Sequence, residues 1–236
     1  EEARLRAEAA WRPRRIIFNN DGGDARAPGS ARTMESFLAS RTSPLVGSQV
    51  DTIVYETTAG TFSSFSHWTE EGEIFLLRED VYAHNFTPEL ILRHGTDPLQ
   101  AVIDFARANG FEIFWSFRMN DTHDASNPLL LPEFKRAHPE LLFGTPENRP
   151  PHGANGAWSG VDYADPLVRE MAFRFVEEVA ATYDVDGILL DYFRHPVFFR
   201  RAAWGEAIGS EELEQMTELL RRIRTRLREI GAARGK

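Results

Sequence analysis

The 236-residue sequence contains no cysteine and only two lysines, Lys135 and Lys236. The missing thiols exclude disulfides, thiolate metal sites and a cysteine nucleophile, and they leave the redox compartment unmarked. Neither lysine stands at the end of an apolar run, so Schiff-base and pyridoxal chemistry have no nucleophile. Positive charge is also in deficit: 27 basic against 36 acidic residues give a formal charge of −9. A nucleic-acid backbone or an anionic membrane surface would be repelled, whereas a neutral or cationic ligand is favoured. No apolar run approaches the roughly 18 residues of a membrane span, and the charged opening EEARLRAEAAWRPRR lacks the apolar core of an export signal. The seven histidines form neither HxH nor HExxH, so no zinc site is indicated. The segment NNDGGDARAPG has neither dinucleotide-binding glycine spacing nor a phosphate-loop lysine. Asp21 and Asp24 within it suit calcium, but a glycine-rich Asx turn explains the same letters. We therefore expect no metal and no cofactor.

What remains is a chain with 42% hydrophobic and 11% aromatic residues, enough to bury one large core. We read residues 1–236 as a single domain. Four apolar, β-branched or aromatic runs, at 14–21, 50–56, 111–121 and 186–192, each end in polar residues and are expected to be strands. Helices are expected between and after them. One carries Thr96 or Asp97 as N-cap, Pro98 in its first turn and Gly110 as its stop, burying Leu99, Val102, Ile103 and Ala106. A second begins at Asp165 and Pro166, with a stripe of Leu167, Met171, Phe175 and Val179. A third starts at Ser210, turns Leu213, Met216, Leu220, Ile223 and Leu227 inward and stops at Gly231. The first crossover offers only ARTMESFLAS as a helical piece.

Strand and helix in alternation imply a parallel sheet with helices outside, either a (β/α)8 barrel or an open doubly wound sheet. Polar strand ends followed by long loops, the longest from about 122 to 164, favour the barrel, whose sites are built on that rim. A full barrel needs eight strands, so we expect only its N-terminal four βα units. The open edges of such a sheet invite self-association.

The rim supplies the chemistry. Side chains alternate along a strand, so in VDGILLDYFRHP residues Gly187, Leu189 and Asp191 share one face. If Leu189 fills the barrel interior, Asp191 stands above it at the mouth. The competing role for Asp191 is to cap the following loop or to pair with Arg194. Asn19 and Asp21 end the first strand, Glu56 the second, and Arg118, Asn120 and Asp121 the third. With His123, Tyr192, Arg194 and His195 beside them, these residues form a candidate substrate-binding set around Asp191. Convergent carboxylates, amides and an arginine suit hydrolysis of a polyhydroxylated substrate. Trp68, Tyr82, Trp158, Tyr163 and Phe193 are candidate stacking rings or simply loop packing.

The segments AVIDFARANGFEIFWSFRMND, LPEFKRAHPELLFG, DYADPLVREMAFRFVEEV and YDVDGILLDYFRHP resemble, in order, the family-10-like glycosyl hydrolase barrels, which are related to the α-amylase group. The likeness spans roughly residues 14–200. It implies a (β/α)8 fold, a carbohydrate substrate, an extracytoplasmic location and Asp191 as nucleophile at the end of the fourth strand. It also implies an acid/base at the end of a fifth or later strand, which this sequence does not contain. Two functions follow: a glycoside hydrolase acting on a polysaccharide or glycoconjugate, and a non-catalytic carbohydrate-binding barrel.

Overall fold

The structure is a computed structural model that describes residues 2–26, 33–151 and 157–235. His152 and the first two residues of ARTMESFLAS, 31 and 32, lie outside them. Four strands form one sheet: β1 (Ile17–Asn20), β2 (Thr52–Glu56), β5 (Glu112–Arg118) and β6 (Gly187–Asp191). They pair in the order β1-β2-β5-β6, every pair parallel. A two-residue pair, β3 (Ser64–Phe65) and β4 (Glu73–Ile74), stands apart in the loop after β2. The helices are α1 (Glu2–Trp11), α2 (Met34–Arg41), α3 (Thr87–His94), α4 (Pro98–Asn109), α5 (Glu133–Ala137), α6 (Pro166–Thr182), α7 (Arg200–Ala203) and α8 (Ser210–Ala233). Parallel strands in sequence order with helical crossovers make this a partial (β/α)8 barrel.

The register sorts the sheet into two faces. Ile53, Tyr55, Ile113, Trp115 and Phe117 point one way, and all are at most 1% exposed. Helices cover this face: the Phe175 ring of α6 lies 5.9 Å from Phe117 and 5.0 Å from Phe65. Val54, Glu56, Phe114, Ser116, Arg118, Gly187, Leu189 and Asp191 line the other, interior face. A methyl group on Gly187 would stand 2.9 Å from the Phe114 ring, so glycine lets that ring lie across β6. At the lower end Arg14 binds Glu112 through two nitrogens, at 2.5 and 2.6 Å, and Thr52 donates to the same carboxylate at 2.8 Å. This cluster fastens the segment after α1 to the lower end of the sheet.

Local signals account for the helix boundaries. The Asp97 carboxylate accepts from the Gln100 N–H at 2.9 Å, and Gly110 ends α4 with φ +74°. Leu99, Val102, Ile103 and Ala106 are buried as expected. Two stripes fall differently from expectation. In α6 the buried line runs through Val168, Ala172, Phe175, Val176 and Val179, while Leu167 is 38% exposed. The 168-172-175-179 spacing centres the apolar face one residue later, and Leu167 sits on its shoulder in the first turn. In α8, Leu219 and Ile223 are buried but Leu213 and Leu220 are exposed, and the helix continues through Gly231 to Ala233. Leu220 instead lines, with Val185, Ile188, Leu190, Ile223 and Leu227, an apolar groove of about 470 Å³ between α8 and β6.

Candidate active site at the upper rim

Residues ending the four strands converge because the register aligns their C-terminal ends: Asn20 lies beside Tyr55, Glu56 beside Ser116, and Arg118 beside Asp191. After β1 the chain turns sharply. The Gly22 N–H donates to Asn20 Oδ1 at 3.1 Å and the Gly23 N–H to Asp21 Oδ1 at 3.2 Å, so the expected Asx turn forms at Asp21 with a second at Asn20, while Asp24 binds Asn20 and Tyr55. Gly22 has φ +65°, and a Cβ there would lie 1.9 Å from the Glu56 carbonyl oxygen. Only glycine lets the β1 loop close over β2. Asn19 is exposed on the interior face, whereas Asn20 is buried and donates to Asp24 at 3.0 Å. Burial opposes ionisation of Asp21, but the Gly23 N–H and its Arg41 partner hold its carboxyl below the usual range.

Glu56 is 2% exposed. Its Oε2 lies 3.4 Å from Arg26 and 3.5 Å from Arg118, while Oε1 is buried without a hydrogen-bond partner among the described residues. Burial pushes this carboxyl up to about 7, and the two arginines restrain the rise. Asp121, at 0% exposure, shows the opposite balance. Despite burial, His123, Arg118 and His195 hold it far below the ordinary carboxylate range. Arg118 donates to Asp121 Oδ2 at 3.2 Å and so bridges the two carboxylates.

Asp121 Oδ1 accepts from the His123 backbone N–H at 3.2 Å and lies 2.5 Å from His123 Nδ1. Arg194 approaches His123 Nε2 at 2.9 Å. Because arginine can only donate, Nε2 is the accepting nitrogen and Nδ1 carries the proton toward Asp121. His195 lies with its Nδ1 3.7 Å from Asp121 Oδ1, accepts from the Thr122 N–H at 3.3 Å, and meets the His123 ring edge-on at 5.1 Å. Burial lowers the His195 pKa, with Asp121 opposing the shift. Asp121, His123 and His195 place one ligand atom each within 4.8 Å of one another, so these three could hold a metal ion. The sequence grouped the three as candidate substrate-binding residues and indicated no metal, because 72 positions separate the two histidines and no metal-binding spacing links them.

Asp191 is half-buried on the interior face beside Arg118. Its Oδ1 accepts from the N–H groups of Phe193 at 2.9 Å and Arg194 at 3.3 Å, while Oδ2 accepts no hydrogen bond from the described residues. One oxygen caps the loop and the other stays open. The Arg194 side chain turns to His123 rather than to Asp191.

Other candidate residues are turned toward structure. Asn120 donates to the carbonyls of Val161 and Val197 and accepts from the Val161 N–H, fastening two loops. Tyr192 lies on the helix-covered face with its ring 4.9 Å from Phe198, and burial pushes its phenol up to about 12. Of the candidate rings, Tyr163 and Trp158 are buried, whereas Phe193 is 90% and Trp68 51% exposed. Trp68 lines a pocket with Glu178 and Arg174 of α6.

No family model matches the chain. No curated protein matches it either. Solved structures do. α-L-fucosidase isoenzyme 2 from Paenibacillus thiaminolyticus superposes with TM-score 0.52 at 15% identity over 93% of this chain and 30% of its own. The α-galactosidase of Thermus thermophilus gives 0.50 at 15% identity over 96% and 40%, respectively. The α-galactosidase AgaA of Geobacillus stearothermophilus gives 0.51 at 14% identity over 92% and 27%. At such identity the likeness is one of fold: this chain folds as part of a (β/α)8 barrel of the kind found in glycoside hydrolases. It spans well under half the length of each of these neighbours.

Proposed function

We propose that the protein is a glycoside hydrolase of the family-10-like type, cleaving glycosidic bonds of a polysaccharide or glycoconjugate at the upper rim. One observation carries this reading. Asp191 sits at the end of the fourth parallel strand with one oxygen fixed by two backbone N–H groups and the other accepting no hydrogen bond from the described residues. A carboxylate so held is oriented in advance and keeps a free lone pair for an oxocarbenium-like centre. The glycosidase neighbours support the same class through their likeness of fold.

In the proposed roles Asp191 attacks or stabilises the anomeric carbon. Arg118, placed level with it, the exposed Asn19, Asp21 and Arg194, and the half-buried His123 contact hydroxyls. Asn120, Glu56 and Asp121 act by holding those groups in place. The competing reading, a carbohydrate-binding barrel without turnover, is favoured by the loop-capping hydrogen bonds of Asp191, which a purely structural aspartate would also make.

Asp191→Asn separates the two. Asparagine keeps an Oδ1 that accepts from the same two N–H groups, so unfolding should shift by no more than ~1 kcal/mol. Release of reducing ends from a panel of polysaccharides and glycoconjugates should fall by ~1,000-fold or more. Lost stability with unchanged turnover would sink the role given to Asp191. Glycan binding by the wild type without any reducing-end release would establish the binding protein.

A further inference from the structure

We propose that Asp121, His123 and His195 form a binding site for one first-row divalent transition metal, with Zn2+ the ion that fits them. The three residues come from loops after two adjacent strands, and their ligand atoms already lie within 4.8 Å of one another. Ligands of a single Zn2+, with bonds of about 2.0–2.2 Å, stand roughly 3.3–3.5 Å apart in a tetrahedron. The distances from Asp121 Oδ1, 2.5 Å to His123 Nδ1 and 3.7 Å to His195 Nδ1, bracket that value. Side-chain adjustments of about an ångström suffice.

Donor chemistry selects the ion. Two imidazole nitrogens and one carboxylate oxygen suit zinc and its neighbours, whereas calcium and magnesium favour oxygen alone. The surroundings fit as well. Arg118 holds Asp121 Oδ2 at 3.2 Å, which leaves Oδ1 as the ligating oxygen and fixes its direction. His195 Nδ1 accepts from the Thr122 N–H at 3.3 Å, so it carries no proton, and an ion would take over the lone pair that this N–H now engages. The proton that His123 places between itself and Asp121 is the one the metal replaces. Both rings reach the surface, with side chains 37% and 16% exposed, so an ion has a path in. The second polar cluster of the same loop differs in this respect. Lys135 and Asp124 pair at 2.7 Å with both side chains fully buried, and a cation already fills that place.

Two contacts stand against the ion: the Thr122 N–H on His195 Nδ1, which a small turn of the ring releases, and Arg194. Arg194 occupies His123 Nε2 at 2.9 Å, and with zinc on Nδ1 that nitrogen must carry the proton, so the arginine has to leave. Arg194 is exposed, so its departure requires no repacking. This competition gives the proposal its signature.

The test is calorimetric titration of the chelator-treated protein with ZnCl2, which does not depend on whether any glycan is cleaved. The wild type should bind one Zn2+ per chain. His123→Gln and His195→Gln should each weaken binding at least ~10-fold, and Arg194→Ala should tighten it several-fold. Both histidines lie at the partly exposed rim, so the variants should retain wild-type thermal unfolding without metal. The proposal is overturned if neither the wild type nor Arg194→Ala shows saturable one-to-one binding. It is equally overturned if binding survives unchanged in both histidine variants, since the ion is then held elsewhere.

Discussion

Glu56 should make folding stability fall as pH rises through the neutral range. Its carboxyl is lifted from the usual 4.5 to about 7 because burial at 2% exposure outweighs the attraction of Arg118 and Arg26. Below about pH 4.5 the group is protonated in both folded and unfolded chains and contributes nothing to the difference. Between 4.5 and 7 the unfolded chain has released the proton while the folded chain retains it, so stability drops. Above 7 the full cost applies. At about 1.4 kcal/mol per pH unit, that interval corresponds to ~3 kcal/mol.

Other groups act in the same window and must be removed from the comparison. His67 is buried beside Trp115 and Tyr183, and burial lowers it from 6.5 to about 3. It opposes Glu56, because the unfolded chain gains its proton first as pH falls, so His67 makes acid conditions destabilising. The lowered His195 acts likewise, while the raised Asp24 and Asp97 act with Glu56. Subtracting the wild type from Glu56→Gln cancels these shared contributions. Urea unfolding of both proteins between pH 4 and 8 should give a stability difference that grows by ~3 kcal/mol in favour of glutamine as pH rises. A flat difference, or one that moves toward the wild type, would refute the argument. It would mean that the two arginines outweigh desolvation and keep Glu56 ionised throughout.

Two further outcomes follow from buried charge and open edges. Lys135→Met leaves Asp124 with only the Thr61 and Ser159 hydroxyls, at 2.6 Å each, and should cost about 3–5 kcal/mol, lowering Tm by ~10 °C; Lys135→Met with Asp124→Asn should recover much of it, and a single variant that unfolds with the wild type would contradict the pairing. The edge of β1 carries Ile16 and Ile17 at 45% and 53% exposure, and the groove between β6 and α8 is apolar, so this chain should self-associate with rising concentration and bind an apolar dye; light scattering that shows a monomer without dye binding would count against it.

The elements legible in the sequence are those whose signals are local. Asp97-Pro98 and Gly110 mark the two ends of α4 because capping and left-handed backbone involve only neighbouring residues. The strands are legible because buried parallel strands read as continuous apolar runs. Two features are not local. Helix α1 shows no apolar stripe and is unmarked, although Arg14 just beyond it anchors the sheet. The grouping of Asp121, His123 and His195 arises from register: Arg118 pairs with Asp191, so residues a few positions beyond each meet above the same gap. Strand periodicity could have indicated this. His123 and His195 lie five and four positions past the paired residues Arg118 and Asp191.

The same alternation decides which polar residues are free to do chemistry. Neighbouring side chains at a strand end leave on opposite faces, so Asn20 and Tyr192 turn toward the helices while Asn19 and Asp191 turn toward the mouth. A residue facing the helices must satisfy its polar atoms locally or leave them unpaired, as the buried Tyr192 hydroxyl is among the described residues. A residue facing the mouth can leave an oxygen to water or to a ligand. Polar letters at a strand end therefore overcount the chemical groups about twofold, and parity along the strand corrects the count. Asn120 is withdrawn by a second route, since the loops it fastens take both of its amide atoms. What survives is a compact charge pattern in which Arg118 separates buried Glu56 from buried Asp121, with Asp191 level with Arg118 on the next strand. Arg118 is thus fixed from two sides by carboxylates that cannot move. Such fixed charge is what the proposed sugar-binding role of the rim requires, because its reorganisation is paid during folding rather than on binding.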